Sequence, residues 1–194
     1  MTLEPFYAIM CMVCFKKEIS LFCKKTEVGG VTKYENLLRN INSSYKTCFV
    51  FRLFSHIGTV MSVAVFGYLL VFFLEKSFVQ ILEFLITLGV PFVFVSVIRK
   101  LISAKRPYEV FDFYESPPKK KRGDSFPSRH AFSIFAIGTL CLFVYPMVGF
   151  ITLVCGVLMC IARVLLGIHF IRDVVAGAAI GVICSIIGVL ILLA

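Results

Sequence analysis

Charge is scarce in this chain. Aspartate, glutamate, lysine and arginine make up 16% of its 194 residues, and 59% are hydrophobic; ordinary soluble domains run at about 25% and roughly 45–50%. That balance excludes a soluble globular domain. Acids are the scarcer sign, 11 against 20 basic residues, for a net charge of +9. With no soluble element to enter a nucleic-acid groove, the basic excess points to anionic membrane lipids and away from nucleic acid. Histidine occurs three times, at His56, His130 and His169. No repeat and no second domain is visible, and the one low-complexity tract is "PPKKKR", Pro117 to Arg122.

A signal peptide places basic residues ahead of its apolar core, whereas Pro5 to Phe15 is apolar first and is followed by Lys16, Lys17, Lys24 and Lys25. Too short to span, it reads as an interfacial helix. "KYENLLRNIN", Lys33 to Asn42, carries Tyr34, Leu37, Leu38 and Ile41 at helical spacing, which predicts a second amphipathic helix on the membrane surface. Cys11 and Cys14 form a lone CxxC without a second pair or nearby histidines, which is not enough for a metal site. Cys141, Cys155, Cys160 and Cys184 fall inside apolar runs, where a thiol behaves as a small hydrophobe.

What is present is a set of membrane-length runs. Crossing the roughly 30 Å hydrocarbon layer takes about 20 helical residues. Ile57 to Leu74 and Ser77 to Ile98 meet that length and are joined at Glu75-Lys76. Ala131 to Ala162 has no charge and is too long for one crossing, so it must fold back near Tyr145-Pro146 and Gly149. Val174 to Ala194 completes the set. The expectation is an all-α, polytopic membrane helix bundle with five transmembrane helices over residues 48–194, preceded by an interfacial segment over residues 1–47.

Alternating helix directions bring the polar residues to one face: Arg99 and Arg106 after the second span, Ser128, Arg129 and His130 before the third, and Arg163, His169 and Asp173 at the last turn. Arg99 and Arg106 are seven apart, close to one helical face, while Lys100 points elsewhere; Pro107 ends helical geometry at Arg106. Ser128 occupies a helix N-cap position, and a helix N-terminus offers free amides to an anion. His169 and Asp173, four apart, are helical neighbours in which the carboxylate can hold the imidazole in one tautomer. Arginines that fork onto oxygens bind phosphate, and a histidine oriented by a carboxylate is a nucleophile or base with a second histidine as acid. His56 with Arg52 reads as interfacial, and Glu83 within the second span as a structural polar contact.

At these residues the chain resembles the type 2 phosphatidic acid phosphatase superfamily, membrane lipid phosphate phosphatases with a haloperoxidase-like site. "RKLISAKRP" (99–107), "PSRH" (127–130) and "ARVLLGIHFIRD" (162–173) match its three motifs in order and spacing over about the last 140 residues. Arg99 stands at the family's lysine, Arg129 at its glycine and Ala162 at its serine. The resemblance implies that His169 attacks phosphorus to give a phosphohistidine, that Asp173 steadies it, and that His130 protonates the departing oxygen and then activates water. Arg99, Arg106, Arg163 and Ser128 would hold the phosphate, with Arg129 beside them. No metal or other cofactor is implied. The implied substrate is a lipid phosphomonoester or diphosphate such as phosphatidate, phosphatidylglycerol phosphate or a polyprenyl diphosphate. A phosphotransferase on the same fold and a non-catalytic membrane scaffold are the competing readings. Eight of the cations lie in the first 56 residues and nine between Arg99 and Arg129, with Lys76 alone opposite; the positive-inside rule turns the motif face to the cytoplasm, although many bacterial relatives face outward.

Overall fold

The computed structural model describes residues 31–111 and 123–192. The interfacial helix expected over Pro5 to Phe15, the Cys11/Cys14 pair and the basic run Lys119 to Arg122 lie outside the described residues. The chain divides into two units, Met1–Leu37 and Leu38–Ala194. Every described element is helical: α1 (Val31–Ser43), α2 (Tyr45–Leu74), α3 (Phe78–Ile102), the single turn α4 (Pro107–Val110), α5 (Arg129–Val144), α6 (Pro146–Leu165) and α7 (Ile171–Leu192). α1 covers the predicted amphipathic helix. At its end the Asn42 amide donates to the Leu165 carbonyl at 3.1 Å, fastening the α1–α2 junction to the end of α6.

Four helices, α2, α3, α6 and α7, are long and apolar enough to cross a membrane. Their outward residues, among them Val63, Val90, Phe94, Phe150 and Ile187, are exposed apolar side chains of the kind lipid tails would cover. The fifth expected span differs. α5 has 16 residues, about 24 Å of helix against a hydrocarbon layer of about 30 Å. It is short because Tyr145-Pro146 ends it: Pro146 cannot continue the hydrogen-bond ladder and opens α6 instead. The turn is where the sequence places it. α5 packs against α6 and α7 along its length and also touches α2 and α3, and Phe132, Ile134, Ala136 and Leu140 are almost wholly buried. A helix enclosed by helices can be shorter than the layer, because its ends meet protein instead of lipid.

Close approach to α5 depends on small residues. Gly177 and Gly181, one turn apart on α7, lie against the Ser128 and Phe132 carbonyls, where a Cβ would overlap backbone atoms that cannot move aside. Such small-residue stripes let helix backbones approach and gain dispersion contact where no hydrophobic force acts between spans. Ser185 adds a buried hydrogen bond from α7 to the Ala136 carbonyl at 2.7 Å. Toward the other end Phe84 stacks on Phe73 at 4.8 Å and on Phe66 at 5.7 Å, joining α2 to α3.

Gly177→Val should therefore drive α7 off the start of α5. The expected cost is about 1–3 kcal/mol, the usual range for overpacking, read as a lowered thermal unfolding midpoint in detergent. An unchanged midpoint would show that the helices do not depend on this contact.

Candidate active site

The site is assembled around one short stretch, Gly123 to Ser128, and its geometry begins with the end of α3. The helix stops at Ile102, with Ser103 in the left-handed conformation at φ 46°. Arg106 thus does not extend the helical face of Arg99, as its spacing suggests; a loop carries it inward as the N-cap of α4. Both guanidiniums are buried and both are held by carbonyls of the same stretch. Arg99 Nη1 donates to Pro127 O at 2.8 Å and Arg106 Nε to Gly123 O at 3.0 Å. Lys100 points away, exposed, as its register predicts.

Gly123 needs to be glycine. Its φ is +69°, and a Cβ would approach Ser103 Oγ to 2.9 Å. Its amide donates to Glu109 Oε1 at 2.8 Å while Arg106 N donates to the same oxygen at 3.2 Å, so Glu109 ties both sides of this loop together. Downstream, Ser125 N bonds Ala104 O and Ser128 N bonds Asp173 O, each at 2.9 Å. Ser128 caps α5, its hydroxyl accepting from Ala131 N at 3.5 Å, and His130 falls in the first turn.

His169 also departs from its expected setting. It lies ahead of α7, which starts at Ile171, so His169 and Asp173 are not two positions on one helix. The pair is nonetheless close and almost fully buried, with Nδ1 3.6 Å from Asp173 Oδ2. That is too long for a hydrogen bond. Ser125 closes the gap: its Oγ is 2.5 Å from Asp173 Oδ2 and 3.3 Å from His169 Nδ1. An ionised carboxylate only accepts, so the serine proton points to Asp173 and Oγ accepts from Nδ1–H. The lone pair of His169 is then on Nε2. Phe170 N donates to the same Asp173 oxygen at 3.0 Å, and Arg172 Nε lies 3.6 Å from the other.

Through-space interactions link His130 with His169, Arg163, Arg129 and Arg99, and His169 with Arg106 and Arg163. All eight sequence-predicted residues thus gather at one end of the bundle: Arg99, Arg106, Ser128, Arg163, His169 and Asp173 buried, His130 exposed and Arg129 partly so. Arg163 Nε is buried with no hydrogen-bond partner among the described residues. An unmet buried donor amid further guanidiniums suits an anion. No group of three or more metal-ligating side chains is found among the described residues. His56 is exposed on α2 and Glu83 partly buried on α3.

Residues 80–193, more than half of the chain, match the PAP2 superfamily. The chain belongs to that superfamily. Its fold is that of PAP2 membrane phosphatases. It aligns with the crystal structure of Aquifex aeolicus LpxE at a TM-score of 0.60 and 24% identity, over 79% of this chain and 93% of that one. A PAP2-type phosphatidylglycerolphosphate phosphatase from Bacillus subtilis aligns at 0.58 and 20% identity, over 98% and 96%. The bacitracin transport permease protein BcrC of Bacillus licheniformis is 36% identical over 63 residues, 32% of this chain and 31% of that protein. The aligned stretch thus spans about a third of that relative's length.

Ser125 and Glu109 escaped the sequence reading. Glu109 follows Arg106 by three residues, a capping-box spacing that could have exposed it. Ser125 carries no such signal, because its partners lie 44 and 48 residues away.

Burial lowers the His169 pKa from 6.5 to about 4, against the raising effect of Asp173 and with Arg106 and Arg163 adding to the depression. The unfolded chain then binds a proton that the folded chain refuses between pH 6.5 and about 4. Stability should fall as pH drops through that window, by on the order of 3 kcal/mol in total. Unfolding midpoints measured from pH 7 to 4.5 check this, and His169→Gln should make the dependence less steep.

Proposed function

We propose that this PAP2 protein is a lipid phosphate phosphatase that works through a phosphohistidine on His169. The observation that carries the lipid part of this reading is a cavity of about 550 Å³ lined mostly by apolar side chains, with Thr59, Ser62, Ser133, Arg129 and His130 as its polar members. It runs between α2, α3, α5 and α6, with Phe66, Leu88, Phe92, Phe132, Ile137 and Met159 along it. Its volume lies within the range of ligand pockets, roughly 300–1,000 Å³. An aliphatic tail fits such walls, and a tail lying there brings its phosphate to His130.

The chemistry follows from the tautomer and the charges. His169 Nε2 attacks phosphorus while Ser125 and Asp173 hold Nδ1–H and stabilise the imidazolium that develops. Arg99, Arg106 and Arg163, with amides at the start of α5, take the equatorial oxygens, and their charge opposes that of the transition state. His130, which takes up a proton as the anionic substrate offsets the surrounding guanidiniums, gives it to the departing oxygen, takes one from water, and the resulting hydroxide cleaves the phosphorus–nitrogen bond. Inorganic phosphate leaves and His169 is restored. Ser125 is a positioning residue here.

Purified protein in detergent micelles should release inorganic phosphate from phosphatidate or a polyprenyl phosphate, in the presence of a chelator. His169→Ala should lose at least about three orders of magnitude in kcat. Ser125→Ala should lose about ten- to hundredfold, in kcat with KM little changed, since it aligns the imidazole without touching substrate. Turnover by His169→Ala at the wild-type rate would remove the mechanism.

We further propose that the site faces the cytoplasm, on the strength of the cation distribution. Labelling of single cysteines placed near Lys120 in intact cells should then require permeabilisation; labelling without it would place the site outside.

A further inference from the structure

The site holds more cations than one phosphoryl group calls for, and they are not grouped together. Arg99, Arg106 and Arg163 are buried, and none of them lines the tail cavity. Arg129 does line it, next to His130, and is only partly buried. No carboxylate pairs with Arg129 among the described residues. A terminal phosphoryl group carries at most two negative charges, already answered by three guanidiniums. In a simple monoester the next group toward the tail is a neutral ester oxygen and then hydrocarbon, which leaves Arg129 in a cavity wall with no charge to meet. A guanidinium at the cavity wall can fork onto an anion that enters there. One class of substrate supplies that anion where Arg129 stands: a lipid diphosphate, whose inner phosphate lies between the transferred phosphoryl group and the tail.

We propose that Arg129 forms a second anion subsite for the inner phosphate of a lipid diphosphate and sets the preference of the site for diphosphates over monophosphates. This rests on the reading of the chain as a lipid phosphate phosphatase. In the step concerned, the His169 Nε2 lone pair forms a bond to the terminal phosphorus as the bond from that phosphorus to the bridging oxygen breaks. The electron pair goes to the bridging oxygen, which becomes part of the departing lipid monophosphate, and His130 supplies a proton to it. Charge thus accumulates on the inner phosphate as the bond breaks. A guanidinium beside it contributes more to the transition state than to the bound substrate, so its effect falls on kcat as well as KM. Glycine, which the family motif carries here, offers no such charge.

The test compares wild type, Arg129→Gly and Arg129→Lys in the same mixed micelles on three substrates: a polyprenyl diphosphate, the matching polyprenyl monophosphate, and phosphatidylglycerol phosphate, whose second phosphate is a diester separated by a glycerol. Wild type should favour the diphosphate in kcat/KM. Arg129→Gly should lower the diphosphate-to-monophosphate ratio at least tenfold, and Arg129→Lys should restore part of it. Equal losses on all substrates, an unchanged ratio, or a loss confined to phosphatidylglycerol phosphate would overturn the subsite. Wild-type release of phosphate from the monophosphate without a diphosphate preference would overturn this inference and leave the phosphatase reading standing. No release from any of the three would overturn both.

Discussion

The buried charges at one end of this bundle depend on backbone carbonyls. Guanidiniums taken out of water need partners, and two of them find these on the six residues from Gly123 to Ser128, through Pro127 O and Gly123 O. The same stretch bonds Asp173 O through Ser128 N and reaches Asp173 and His169 through the Ser125 hydroxyl. Three sequence motifs on separate helices are thereby connected through one loop. Loosening that loop would disturb Arg99, Arg106, His169 and Asp173 at once.

That dependence explains the packing elsewhere. The loop ends at the N-cap of α5, so the position of α5 along the bundle sets where Ser128 and His130 stand. Gly177 and Gly181 bring α7 directly against that end of α5, and the hairpin at Tyr145-Pro146 fixes its other end. α5 can be short and enclosed because its task is to present its first turn. The four longer helices meet the lipid, and between some of them and α5 lies the apolar cavity that reaches His130.

The site divides electrostatically along the same line. On the buried side the guanidiniums surround His169, whose own burial keeps it neutral at pH 7 and thereby able to offer a lone pair. On the cavity side stand His130 and Arg129, where hydrocarbon and phosphate would meet. In the mechanism proposed above, this division places the nucleophile within a cationic shell and the proton donor at the cavity, a polarity that suits attack from one side and departure toward the other.

The sequence by itself determined the helical membrane character, because runs of apolar residues with no soluble alternative permit little else. It also determined which residues converge: alternation of helix direction places Arg99, Ser128, His130, Arg163 and Asp173 at one end whatever the details of packing. The N-cap at Ser128 and the reversal at Tyr145-Pro146 were legible because capping and proline chemistry are local. Tertiary structure alone decided the rest. That α3 stops at Ile102, so that Arg106 arrives by a loop, that α5 is enclosed, and that Ser125 stands between His169 and Asp173 all follow from contacts between residues far apart in the chain, which no local pattern encodes. The place of Arg129 in the cavity wall belongs to the same class, since a cavity is formed by several helices and is a property of none.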